Sequence, residues 1–188
     1  MRVHYFSPFA VGKDFLKELD YYFGLLPGLN DWACFTDGDT MFVRSDFGNC
    51  IIDYINRYPE TGLFTCYASR CHYSIQVPVV GDIKNPSISF HKTVADELHY
   101  VFQPTQEIEI INRRIAGHMM LIRKSTWLKI RADVFLQVRL RQKRILGVDT
   151  QISYSMLRAG FDIKLMKGIY LVHYLRFNEG IDNDKHLI

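Results

Sequence analysis

An apolar run, Trp32-Ala33-Cys34-Phe35, is cut after Thr36 by two carboxylates one residue apart, Asp37 and Asp39, and apolar character resumes at Met41-Phe42-Val43. An aliphatic-aromatic run bounded by turn residues reads as a buried strand, and open α/β sheets place ligands at the carboxyl ends of their strands. Asp-Gly-Asp-Thr is also good turn chemistry. Two like charges held this close at the end of a strand are costly unless something positive lies between them, and a divalent cation meets that need. Carboxylate oxygens suit magnesium or manganese, which keep positions open for phosphates. Asp37 and Asp39 are therefore candidate metal ligands.

The flanking patterns say what carries this strand. A short strand is expected within residues 3–9, and Phe15, Leu16, Leu19, Tyr22, Phe23 and Leu26 recur at helical spacing over 13–26 before Pro27-Gly28. A second helix is predicted over 47–58 with Ile51, Ile52, Tyr54 and Ile55 inward, then a strand over 62–67. Strand alternating with helix predicts an α/β fold with a mostly parallel central sheet flanked by helices. Residues 68–86 read as a surface excursion, and Val94, Leu98, Val101 and Phe102 restore helical spacing. A strand over 115–122 runs into a helix start at 123–128, and the basic, weakly patterned stretch 131–144 reads as a mobile loop. Asp149 opens a helix that ends at Ala159 with Gly160 as its cap, and two short strands, 161–166 and 169–173, close the pattern.

With 188 residues, 48% of them hydrophobic, the chain can bury one core, so a single domain over 1–188 is expected. The net charge of +3 admits an anionic ligand but demands neither nucleic acid nor membrane. No nucleic-acid partner is expected, and a peripheral membrane contact is left open. Cys34, Cys50, Cys66 and Cys71 form no CxxC pair and read as reduced structural thiols. No window approaches the roughly 18 apolar residues of a membrane span, and the first residues do not read as a secretion signal, so a soluble, cytoplasmic protein is expected.

Two further positions invite chemistry. Gly147-Val148-Asp149 leads into a helix, where an acidic residue serves as a cap or dipole partner; as a functional group, Asp149 would be a general base at the mouth of a site. His173 ends an apolar strand and reads as a packed residue or, through a neutral imidazole nitrogen, as a ligand to the same ion; Arg176 beyond it could meet phosphate oxygens.

Taken in order, Asp37-Gly38-Asp39, the small-residue strand Ala116-Gly117-His118-Met119-Met120 with the basic-aromatic segment 123–127, Gly147-Val148-Asp149 and His173 resemble the GT-A class of glycosyltransferases, in particular its family-2-like bacterial and phage members. The resemblance covers roughly residues 31 to 176. It implies a reduced GT-A fold in which Asp37, Gly38 and Asp39 hold manganese or magnesium on the diphosphate of a nucleotide-sugar donor. It further implies that His173 is the last metal ligand, that Asp149 is the base toward a glycan, lipid-linked or protein acceptor in a reaction expected to invert, and that the Trp127 region shapes the acceptor side. With 36 residues ahead of Asp37, the amino-terminal half is shortened relative to the family, which leaves the loop from Ser7 to Lys13 to grip the nucleotide. Val148 stands where many relatives carry Glu, so Asp149 would act alone. The stretch 139–144 is a candidate lid over the diphosphate.

Two other readings compete. One is a GT-A-like binding module without turnover. The other is a haloacid-dehalogenase-like phosphatase, whose Asp-x-Asp motif calls for Thr or Val where Met41 stands and for a later acidic pair that here falls in the polar segment 182–185.

Overall fold

The computed structural model describes residues 1–8, 14–71, 73–79, 85–111, 113–141 and 147–174. Lys13, Arg176 and the 182–185 segment lie outside them. Seven strands form one sheet, β1 (Val3–Phe6), β2 (Trp32–Thr36), β3 (Thr40–Phe42), β4 (Leu63–Ala68), β5 (Ile108–Ile110), β6 (Met119–Arg123) and β7 (Ile163–His173). Their order is β1-β2-β6-β4-β7-β3, with β5 also on β7.

The sheet is mixed, which corrects the mostly parallel expectation. β1 runs parallel to β2 and β4 parallel to β7, whereas β6, wedged between β2 and β4, is antiparallel to both, and β3 and β5 run antiparallel to β7. The alternation of strand and helix in the sequence does not encode direction, and the strand inserted at the centre reverses it.

Both faces of the sheet are buried, and the side chains sort by strict alternation. Ala33, Phe35, Met120 and Ile122 point to one core with Leu16, Leu19 and Phe23 of α1 (Phe15–Leu25), Trp127, Ile130 and Val134 of α4 (Lys124–Leu140) and Ile152 and Met156 of α5 (Val148–Arg158). Trp32, Cys34, Met119 and Leu121 point to the other, under Cys50, Ile51, Tyr54 and Ile55 of α2 (Phe47–Arg57). Ile52, expected inward, is 38% exposed. The α3 helix (Ile88–Phe102) packs along β7.

Four further expectations change. Residues 131–140, read as loop, belong to α4: Ile130, Val134 and Val138 form its buried stripe, while Leu128, Leu136 and Leu140 face solvent and blur the pattern. The two closing strands are one, β7, whose register against β4 slips between Cys66 and Tyr67 so that residues 167–169 bulge out. The 68–86 excursion is anchored by a 3₁₀ turn, Ser74–Gln76, whose Gln76 is fully buried. Trp127 is core as well, stacked on Phe23 at 4.7 Å with its indole N–H donating to Asp20, and does not line a site.

Candidate metal-binding site

The two carboxylates meet His173 because a tight turn folds β3 back against the end of β7. The hydroxyl of Thr40 donates to the Asp37 carbonyl at 2.7 Å, and its N–H does so at 3.2 Å, closing Asp37-Gly38-Asp39-Thr40. Thr40 then pairs with His173 across the ladder, and the Tyr174 N–H donates to the Asp39 carbonyl at 2.8 Å. The result places His173 Nε2 at 3.4 Å from Asp39 Oδ1 and 3.8 Å from Asp37 Oδ2. Gly38 is not forced by the backbone: its φ is not positive, and a Cβ there would meet nothing within 4 Å.

The imidazole is held from behind. His173 Nδ1 lies 2.8 Å from the Arg70 carbonyl, a group that only accepts, so this nitrogen carries the proton. The hydroxyl of Ser69 brackets the same residue, accepting from the His173 N–H at 3.0 Å and donating to its carbonyl. His173 therefore turns Nε2 toward two carboxylates, a grouping that a proton on that nitrogen or a cation between the three would stabilise. Two carboxylate oxygens and one imidazole nitrogen, all within 4.8 Å of one another, are a group that could hold a metal ion.

Asp149 joins the site from the first turn of α5. Gly147, at φ 84°, supplies the left-handed step into that helix. The Asp149 carboxylate accepts from the Gly117 N–H at 3.0 Å and from the Thr150 N–H at 2.7 Å, so it is anchored both within its own helical turn and to the segment ahead of β6. Gly117 permits this closeness, since a Cβ there would stand 3.0 Å from the Asp149 Cβ. Burial pushes the Asp149 carboxyl up, against the Thr150 and Gly117 hydrogen bonds and the nearby Arg114 charge. Burial likewise pushes Asp37 up, and the charges of Asp39 and Asp149 push it the same way against the pull of His173. The two side chains keep 44% and 43% of their exposure at Asp37 and Asp39, so the recess is crowded but open to solvent.

Several contributors were not singled out from sequence. His118 is 1% exposed beneath this site, its ring 6.0 Å from that of His173, with Nε2 at 3.1 Å from the Cys66 carbonyl and Nδ1 buried without a hydrogen-bond partner. Burial holds it neutral, its pKa pulled down to about 4. Gln76 clamps the strand that presents Gly117, accepting from the Ala116 N–H at 2.7 Å and donating to Thr65 Oγ1 at 2.8 Å. Arg114 lies over the Tyr73 ring at 5.1 Å beside Asp149. The adjacent Arg113-Arg114 pair was the available signal for that cation. Ser7 Oγ lies 3.2 Å from Thr36 Oγ1, which puts the described start of the 7–13 loop beside the end of β2.

Cys34, Cys50 and Cys66 are free thiols. Among the described residues, no helix is long and apolar enough to cross a membrane. No family model matches the chain, and no curated protein or solved structure matches it either.

Proposed function

We propose that this chain is a metal-dependent glycosyltransferase of reduced GT-A fold that moves a sugar from a nucleotide-sugar donor to a hydroxyl of a glycan, lipid-linked or protein acceptor. The observation that carries the reading is the convergence of Asp37, Asp39 and His173 Nε2 at one end of the sheet, with Asp149 close enough for its charge to raise Asp37. A divalent cation held there would stabilise the negative charge that grows on the departing diphosphate. Asp37 and Asp39 supply charge, and His173, oriented by the Arg70 carbonyl, supplies a neutral nitrogen. Asp149 accepts the proton of the acceptor hydroxyl as its oxygen bonds to the anomeric carbon, and the carbon–oxygen pair leaves with the diphosphate. The backbone donors of Gly117 and Thr150 fix that carboxylate while leaving it further lone pairs. Arg114 is the described cation placed to meet an anionic substrate beside it. Free thiols fit a reducing compartment such as the cytoplasm.

Calorimetry with manganese and a panel of nucleotide-sugars tests the reading. Metal-dependent binding of one donor, followed by release of its nucleotide diphosphate when an acceptor is added, is the expected result. Metal-dependent binding with no turnover toward any acceptor would instead identify a binding module, and no metal-dependent binding of any donor would remove the proposal.

A further inference from the structure

A second group of metal-ligating side chains lies away from the first. Asp46 caps the start of α2, Cys50 sits one turn into that helix and His99 lies in the last turn of α3; their ligand atoms all fall within 4.8 Å of one another. Cys50 Sγ stands 3.7 Å from His99 Nδ1. Zinc–sulfur and zinc–nitrogen bonds of about 2.3 and 2.05 Å at a tetrahedral angle separate the two ligand atoms by about 3.6 Å. The sulfur and nitrogen are thus already spaced as one edge of a zinc tetrahedron. The thiol is 5% exposed, while Asp46 and His99 are half-buried, so the group opens to solvent on one side.

The surrounding charge calls for a cation. Arg44 is the positive side chain in contact, donating through Nε at 3.0 Å and Nη2 at 2.7 Å to the two Asp46 oxygens and through Nη1 to Asp96. Asp53, whose carboxylate accepts from Gln103 at 3.4 Å, adds to Asp46 a second negative charge felt by the thiol. Two carboxylates against one guanidinium, itself shared with Asp96, leave net negative charge beside Cys50. The Arg44 fork uses one lone pair on each Asp46 oxygen and leaves others for a metal. It also orients that carboxylate from behind, as outer-shell partners do.

We propose that Asp46, Cys50 and His99 form a zinc site, with water in the fourth position, that staples the start of α2 to the end of α3. A thiolate ligand selects a soft ion, so this site differs in kind from the oxygen-rich group at Asp37 and Asp39. On binding, the Cys50 thiol proton leaves to solvent and the sulfur–zinc bond forms. This zinc site is independent of the proposed transferase centre.

Cobalt(II) titration of the reduced, chelator-stripped full chain tests it. One equivalent should give a near-ultraviolet sulfur-to-cobalt charge-transfer band with the intense visible bands of tetrahedral cobalt, and zinc should bleach both. The double variant Asp37→Asn/Asp39→Asn should keep these bands and Cys50→Ala should lose them. His99→Gln, a half-buried position, should weaken cobalt binding by more than the about 10–100-fold that losing an outer-shell partner costs. Absence of the thiolate band in the unaltered chain, its persistence in Cys50→Ala, or unchanged affinity in His99→Gln would overturn the site.

Discussion

The two ends of β2 each carry an aspartate, and the protein treats them oppositely. At the amino end, Asp31 is 6% exposed and accepts from the Arg2 N–H at 2.9 Å and the Gly28 N–H at 3.0 Å, with His4 at 3.8 Å. Burial would raise its pKa, but those backbone donors and the amino terminus hold the carboxyl below its usual range. At the carboxyl end, burial pushes the Asp37 carboxyl up, and the charges of Asp39 and Asp149 push it the same way against the pull of His173. A fold that needs an aspartate surrounds it with donors. Among the described residues the Asp37 carboxylate has His173 beside it but no backbone N–H donating to it, which is what a residue kept for a ligand looks like.

That contrast can be broken by measurement. The largest effect is expected at Asp149, a carboxylate that has backbone donors yet faces the unsupported end. Asp149→Asn should lower turnover by about 10²–10⁴-fold while manganese affinity stays within a few-fold. Equal loss of both would mean that Asp149 maintains the metal group and does not serve as base.

The next effect is one of stability. His118 is held neutral with a pKa of about 4 against 6.5 for a free imidazole, so below pH 6.5 the unfolded chain binds a proton that the folded chain refuses. Stability contributed by neutral His118 is complete above about pH 6.5 and falls by about 3 kcal/mol as pH drops to 4. Urea midpoints between pH 7 and 4.5 measure it; His118→Gln should flatten the slope, and an unchanged slope would reassign the acid sensitivity. Gln76→Ala, which strands the Ala116 N–H and leaves the Thr65 hydroxyl with the Met119 carbonyl alone, should cost about 1–3 kcal/mol and loosen Gly117 and thus Asp149.

How much of this could be read from the chain depends on whether a feature is local. β2 and its terminal carboxylates were legible because the apolar run and the turn are contiguous, and the buried stripe of α1 because Leu16, Leu19 and Phe23 repeat at helical spacing. The α4 helix hid behind Leu128, Leu136 and Leu140 on its wet face, and β7 behind the bulge at Lys167-Gly168-Ile169. His118 and Gln76 gain their meaning from partners such as Cys66, 52 residues from His118, and Ala116, 40 residues from Gln76, and Arg114 from Tyr73 and Asp149, which no spacing rule reaches. The Asp46, Cys50 and His99 group joins two helices in the same way.

The smallest effects concern stability at the two ends of β2. Asp31→Asn should lower the melting temperature at pH 7. That stabilisation is present above the usual carboxylate value of 3.8 and disappears as pH falls through the lower folded value. Asp37→Asn in metal-free protein should shift stability by no more than about 0.5 kcal/mol, and upward, since it removes like-charge repulsion at a half-exposed position. Opposite signs at the two ends would uphold the contrast, and equal destabilisation would erase it.

The most direct test of the central claim is a manganese titration followed by electron paramagnetic resonance, comparing the unaltered chain with Asp39→Ala in the presence of nucleotide-sugars. One bound ion in the unaltered chain, lost in Asp39→Ala with the fold intact, is the expected result. Equal manganese binding by both proteins, or none by either, would contradict it.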